Sequence, residues 1–158
     1  MQTREPANPA EAFELERFLP YRLSLLTNTV SQGIAARYRD EFGISVTEWR
    51  ILAVLGRFPG LTASEVVART AMDKVAIHRG VKALLEKRYL ERRTDETDRR
   101  RRALHITRPK GQGVIENIIP RAREFERDLL NALTREEAAI LQDILDKLQR
   151  TAERNTQT

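Results

Sequence analysis

The amino-acid sequence predicts a mainly helical protein with one small β-hairpin. Apolar residues recur every three or four positions through most of the chain, which is the spacing of a buried helix face. The period changes to two between Tyr89 and Thr107, where the arms of a hairpin are expected. The chain has 158 residues, no internal repeat and no long linker, so we expect a single domain over residues 1–158.

The first predicted helical region extends from Phe18 to Phe42 and ends at the break that Gly43 introduces. Its apolar residues at helical spacing are Leu23, Leu26, Val30, Ile34 and Tyr38. A second helical pattern begins at Thr47 and is stopped by the Pro59-Gly60 pair.

Two short helices joined by a tight turn are predicted next. Thr62 and Glu65 have the spacing of a capping box, which satisfies free backbone N–H groups at the start of a helix. This helix fades near Ala71, and Asp73 can cap its successor, which runs to about Arg88. The apolar residues of that second helix are Ile77, Val81 and Leu84.

The predicted hairpin has an arginine-rich tip. Leu90, Arg92 and Thr94 alternate with charged residues on the first arm, and residues 103–107 form the second. Helical spacing returns from Lys110 onward, and Thr134 with Glu137 makes another capping box.

The positive charge is concentrated near the hairpin. The chain holds 28 Lys and Arg against 23 Asp and Glu, a formal charge of +5. Residues 91–110 hold 8 basic and 4 acidic residues, so this short stretch alone carries +4. A local surplus is an electrostatic footprint for a strongly anionic partner such as nucleic acid.

Several classes of function are disfavoured by composition. The chain has no cysteine, which excludes disulfides and cysteine-based metal or redox sites. The two histidines, His78 and His105, are far apart in sequence and have no cysteine nearby, so we expect no metal site. We expect His105 to have a structural role. We find no phosphate-binding glycine loop and no nucleophile beside a base, so we expect no enzyme activity and no cofactor. The first residues lack the apolar core of a signal peptide, and we expect a cytoplasmic protein with no membrane partner.

The helix that begins at Asp73 divides into two faces. At 100° per residue, its apolar side chains point one way, whereas Val75, Arg79 and Lys82 point the other way and Ala76 and His78 flank them. A helix that enters the major groove needs this division, because donors near its start must reach base edges. Of these residues, Arg79 is the best suited to donate two hydrogen bonds to a guanine base. The alternative is the solvated face of an ordinary core helix.

The hairpin tip favours the nucleic-acid interpretation. Residues 99–102 place four arginines side by side, an arrangement that self-repulsion disfavours unless an anion is near. An arginine at such a tip can insert into a narrow minor groove, and Asp98 could hold one of them in a fixed rotamer. The alternative is a solubilising surface loop.

Two short helices followed by a basic hairpin are the order of a winged helix-turn-helix. The segments LTASEVVARTAMDKVAIHRGVKALLEKRYLERR and TDETDRRRRALHIT, followed by PKGQGVIENIIP, resemble the MarR-type (multiple antibiotic resistance regulator) transcription factors over about residues 15–150. Asp98-x-Arg100 corresponds to the wing pair of that family. Arg88-Tyr89 stands where a glycine usually closes the recognition helix, and the absence of cysteine excludes the peroxide-sensing branch.

The resemblance implies a winged helix-turn-helix at about residues 45–108, with dimerisation helices at about 14–42 and 110–150. It implies a homodimer that binds double-stranded DNA at a pseudo-palindromic operator with half-sites ~10 bp apart. Together with the pattern of the residues, it predicts these DNA contacts: Thr62, Ser64, Lys74, Val75, Ala76, His78, Arg79, Lys82, Asp98, Arg99, Arg100 and Arg101.

The resemblance also implies a small aromatic ligand. FLPYRLSLL and TEWRIL are similar to a subgroup linked with aromatic-acid catabolism. Tyr21, Arg22, Trp49 and Arg50 are the candidate contacts, because arginine suits a carboxylate and Tyr or Trp suits an aromatic ring. The alternative is that Trp49 belongs to the core and that the arginines form surface ion pairs.

The function expected from these features is a ligand-responsive DNA-binding regulator, commonly a repressor, of an aromatic-acid catabolism or efflux operon. The effector would be a small aromatic carboxylate or its CoA thioester. The alternative is a helical dimeric interaction module that uses the basic hairpin for protein or RNA contacts.

Overall fold

A computed structural model describes residues 13–94 and 101–156 of the chain. It confirms a mainly helical protein with one antiparallel hairpin. By internal contacts the chain divides into two compact units, one up to Asn117 and one from Ile118 onward. After a short 3-10 helix (Leu15–Arg17), the elements are α1 (Leu19–Ala35), α2 (Arg39–Phe42), α3 (Val46–Arg57), α4 (Ala63–Thr70), α5 (Lys74–Glu86), β1 (Leu90–Thr94), β2 (Arg102–Ile106), α6 (Lys110–Leu130) and α7 (Arg135–Thr156).

The predicted helix over 18–42 is wrong in one respect, because it is two helices. The chain leaves the helix after Ala35 and turns before α2, and this turn carries the Tyr38 ring into the core. The turn spans only three residues, so Tyr38 keeps the spacing of a helical position and the pattern does not reveal the break. Gly43, at φ 61°, ends α2 in the left-handed region as its position suggested.

Helix α3 begins one residue earlier than predicted and has a capping box that the sequence analysis missed. Ser45 Oγ accepts a hydrogen bond from the Glu48 N–H, and Glu48 Oε2 accepts one from the Ser45 N–H at 2.6 Å. Glu48 is 5% exposed, the one buried charged residue in the part of the chain that the structure describes. Its second oxygen, Oε1, lies 2.6 Å from Lys87 Nζ.

The predicted caps of α4, α5 and α7 are confirmed. Thr62 and Glu65 form the capping box of α4, Asp73 Oδ1 accepts from the Ala76 N–H at the start of α5, and Thr134 and Glu137 form the box of α7. Arg88 adopts a φ of 59°, so it occupies the left-handed position where the resemblance led us to expect glycine.

The core of the first unit lies between α3, α4, α5 and the hairpin. Its fully buried side chains include Ile51, Leu52, Leu55, Val66, Ile77, Leu84 and Leu104. The hairpin pairs Leu90 with Ile106 and Arg92 with Leu104. Backbone hydrogen bonds from Leu104 to Leu61 and from Gly60 to Leu104 fasten β2 to the connection between α3 and α4. The hairpin is therefore held against the two helices that precede α5.

The start of α6 packs against the base of the hairpin at Gly111. A Cβ at this position would overlap the Tyr89 carbonyl oxygen and would lie 2.9 Å from Ile106 Cγ2. Gly113, in the same helical turn, has open space around the corresponding position. Close packing thus requires glycine at position 111, whereas position 113 has room for a larger side chain.

We expect Gly111→Ala to lower the free energy of unfolding by about 1 to 3 kcal/mol, because the Tyr89 backbone and α6 would have to separate. The matched variant Gly113→Ala should raise it by up to about 1 kcal/mol, since alanine favours the helix. Urea unfolding followed by circular dichroism measures both. Equal effects of the two substitutions would contradict the close packing at Gly111.

Candidate nucleic-acid interface

The α5 helix presents a polar face to solvent and an apolar face to the core. Ile77, Val81 and Leu84 are almost completely buried. Gly80 shares their side, and a Cβ there would lie 2.6 Å from Ile51 Cδ1, so α5 lies close against α3. The predicted amphipathic division of this helix is confirmed.

The opposite face carries the residues predicted to contact DNA. Lys74, Val75, His78, Arg79 and Lys82 are all exposed, whereas Ala76 is half-buried. Val75 has 56% of its surface exposed, unusually high for a valine on a helix that packs into a core. Lys82 Nζ lies 3.9 Å from Glu86 Oε1. Because both side chains are exposed to solvent, this ion pair is weak.

The start of α4 links the helix-turn-helix to the hairpin. The Thr62 N–H donates to Glu65 Oε2 at 2.7 Å, and the same oxygen lies 3.2 Å from Arg101 Nη2. Arg101 also donates to the Gly60 carbonyl oxygen. The hydrogen bonds from Thr62, with a smaller contribution from Arg101, hold the pKa of the Glu65 carboxyl below its usual value. Arg101 thus anchors the hairpin to α4, a contact the sequence analysis did not foresee.

A groove of about 430 Å³ lies between the start of α4, the α5 helix and one face of the hairpin. Thr62, Ser64 and His78 line it from the helices. Arg92, Arg101 and Arg102 line it from the hairpin, and among the described residues no carboxylate lines it. Arg92 and Arg102, beside an Arg101 whose charge Glu65 partly offsets, make this groove a favourable place for phosphate oxygens.

Two groove arginines, Arg92 and Arg102, were not among the predicted DNA contacts. The alternation of residues along the two hairpin arms could have identified both arginines as members of one face. Arg92 lies on the same strand face as Leu90, and Leu104 pairs with Arg92 across the hairpin. The predicted contacts Asp98, Arg99 and Arg100 lie outside the residues that the structure describes.

The four predicted ligand contacts fall into two pairs. Arg50 Nη2 donates to Ser31 Oγ at 2.7 Å, and the Trp49 ring lies 6.0 Å from the Tyr38 ring. Tyr21 and Arg22 are exposed near the start of α1, about ten residues before Ser31 and hence ~15 Å away along the helix axis. Trp49 and Arg50, which are consecutive in the sequence, therefore contact Tyr38 and Ser31, whereas Tyr21 and Arg22 lie apart from them within one chain.

Tyr38 adds a buried polar group beside Trp49. Burial raises the pKa of Tyr38 to about 12, despite the opposing effect of Arg39 and Arg50. Among the described residues, none forms a hydrogen bond with its buried hydroxyl. An unsatisfied buried hydroxyl is costly, so this position favours a partner that supplies an acceptor.

Within residues 13–94 and 101–156, no helix is both long enough and apolar enough to span a membrane.

Comparison with known proteins agrees with this geometry. Residues 42–101 match the MarR family. The HTH-type transcriptional regulator BilQ of Clostridium symbiosum is 32% identical over 111 residues, which cover 70% of this chain and 76% of BilQ.

Solved structures show the same fold. A MarR/EmrR family transcriptional regulator from Acinetobacter sp. ADP1 superposes with a TM-score of 0.82 at 30% identity, over 90% of this chain and 99% of that one. BpsR of Bordetella bronchiseptica, whose DNA binding is regulated by 6-hydroxynicotinic acid, superposes with a TM-score of 0.76 at 18% identity, over 87% of this chain and 96% of BpsR. These superpositions confirm the winged helix-turn-helix fold, and the chain belongs to the MarR family of transcriptional regulators.

Proposed function

We propose that this regulator binds a pseudo-palindromic operator as a homodimer in the cytoplasm and represses an operon of aromatic-acid catabolism or efflux. A small aromatic carboxylate or its CoA thioester would modulate the binding. The observation that carries the DNA-binding part is the arginine-lined groove beside the exposed polar face of α5. It combines donors for phosphates with donors for base edges on one side of the first unit.

Each residue of this surface has a role that its chemistry supports. Arg79 would read a guanine with two hydrogen bonds, and the exposed Val75 methyl groups would contact a thymine methyl. Phosphate contacts are assigned to the remaining donors of the helices, namely Thr62, Ser64, Lys74, His78 and Lys82. At the hairpin, Arg99, Arg100 and Arg101 would donate to DNA, with Asp98 holding one arginine in a fixed rotamer for the minor groove, and Ala76 would give close approach of the α5 backbone.

The homodimer is supported by exposed apolar side chains on the helices at both ends of the chain. On α1, Leu25 and Leu26 are more than half exposed. On α7, Ile140, Ile144 and Leu145 are between 42% and 55% exposed. Apolar stripes of this kind mark interaction surfaces. A two-fold dimer would place two α5 helices one turn of DNA apart, about 34 Å.

The effector is proposed to bind beside α1 and α3. Trp49 and Tyr38 would contact its aromatic ring, and Arg50 would bind its carboxylate. BpsR, which shares this fold, responds to an aromatic carboxylic acid. Tyr21 and Arg22 are too far along α1 to touch the same small acid, but the long phosphate-bearing part of a CoA thioester could reach them.

Removing Arg79 should cost sequence preference, whereas removing Arg102 should cost affinity in general. On an operator duplex, Arg79→Ala is expected to weaken binding about tenfold to a hundredfold and to leave a scrambled duplex unaffected. Arg102→Ala should weaken both duplexes alike and reduce the salt slope by about two, one for each protomer. Fluorescence anisotropy at several salt concentrations measures both effects.

The matched control is Arg150→Ala, which removes an exposed arginine from α7 and should change neither duplex by more than about twofold. If all three variants bind both duplexes like the wild type, the DNA-binding surface is misplaced. Preference of the wild type for structured RNA or an acidic protein over every duplex would favour the interaction module instead.

Variants at the two pairs of ligand residues should respond differently to a free acid and to its CoA thioester. Benzoate and benzoyl-CoA are expected to weaken operator binding, and Arg50→Gln should weaken the effect of benzoate about tenfold but that of benzoyl-CoA less, because the thioester has no free carboxylate. Arg22→Gln should weaken only the effect of benzoyl-CoA, because benzoate does not extend along α1. The readout is the effector concentration that half-releases the labelled operator. An equal response of Arg50→Gln and wild type to benzoate would refute the proposed effector site.

A further inference from the structure

The back of the hairpin forms a second cavity that the DNA-binding surface does not use. The side chains of a strand alternate between its two faces. Arg92, Arg102 and Leu104 line the groove described above, whereas Glu91, Arg93 and His105 line a cavity of about 610 Å³ on the other face. Its volume lies within the range of small-molecule sites, about 300 to 1,000 Å³.

The cavity has an apolar wall of aliphatic character. Leu55 and Pro59 contribute to it from the end of α3 and the following turn, and Ile106 contributes from β2. Apart from the imidazole of His105, the residues that line it carry no aromatic ring. Gly60 lies beside that imidazole, since a Cβ there would be in ordinary van der Waals contact with His105 Cε1 at 3.5 Å.

The polar side of the cavity has an excess of positive charge. Two arginines, Arg93 and Arg108, line it against one carboxylate, Glu91. Arg93 Nη2 lies 2.6 Å from Glu91 Oε1, so the single acidic group is already paired. Arg108 has no carboxylate within ion-pair distance among residues 13–94 and 101–156. An anion that entered the cavity would therefore meet an arginine whose charge is not yet compensated.

We propose that this cavity binds a small carboxylate with an aliphatic body. The carboxylate accepts hydrogen bonds from the Arg108 guanidinium, and the body packs against Leu55, Pro59 and Ile106. The site differs from the proposed effector site in position and in chemistry, because Trp49 and Tyr38 supply aromatic surface there. It does not depend on the proposed function, and its occupancy is measured without DNA.

The test is a titration of the ¹⁵N-labelled protein with cyclohexanecarboxylate, followed by amide chemical shifts. Saturable shifts are expected at Gly56, His105 and Gln112, all of which line the cavity. Arg108→Gln should weaken this binding at least about tenfold. Arg135→Gln, which removes an exposed arginine from α7, should leave it within about twofold. The neutral analogue cyclohexanecarboxamide should produce much smaller shifts.

Four outcomes would overturn the proposal. They are the absence of saturable shifts at the cavity, equal binding of the carboxamide, equal affinity of the two variants, and shifts confined to Trp49 and Arg50. If Arg108→Gln instead weakens duplex binding and leaves carboxylate binding intact, Arg108 serves a DNA phosphate. None of these results bears on whether α5 reads DNA, so the two proposals fail separately.

Discussion

An ion pair between the buried Glu48 carboxylate and the partly exposed Lys87 ammonium sets the position of the recognition helix. The Glu48 carboxylate uses one oxygen to cap α3 and the other to bind Lys87, which follows α5. Lys87 Nζ also donates to the Gly43 carbonyl oxygen, and Lys110 Nζ donates to the Lys87 carbonyl oxygen. One small cluster thus joins the end of α2, the start of α3, the end of α5 and the start of α6.

The cost of burying a charge explains why this cluster is specific. A buried carboxylate without its partner is strongly unfavourable, so the Glu48 carboxylate favours the arrangement in which Lys87 lies within reach of it. The close approach of α5 to α3 at Gly80 also restricts the position of α5. With its axis held in this way, α5 turns Arg79 and Lys82 to solvent, and the hairpin that follows divides its arginines between two cavities of different character.

Most of the fold could be predicted from the sequence, because local signals dominate it. The caps at Thr62, Asp73 and Thr134 and the change of period at the hairpin depend on neighbouring residues only, and all are confirmed. The break after Ala35 was missed because Tyr38 retains helical spacing through the turn. The Glu48–Lys87 pair spans 39 residues, and no local pattern encodes a contact of that separation.

In the candidate site, too, features that depend on neighbouring residues could be predicted and long-range contacts could not. The two faces of α5 could be predicted because they follow from helix periodicity, and the structure confirms the division. The Arg101 contact with Glu65 and the groove formed by Arg92 and Arg102 depend on how the hairpin packs on α4, which the sequence does not specify locally. The ligand residues were chosen by chemical type, so the distance between Tyr21 and Trp49 could not be anticipated.

The central claim is that two copies of α5 and its hairpin read duplex DNA together. The most direct test is selection of bound duplexes from a random-sequence pool, followed by sequencing. The account predicts enrichment of one pseudo-palindrome whose half-sites are centred about 10 bp apart. A pool that stays random, or an enriched motif that consists of a single half-site, would contradict it.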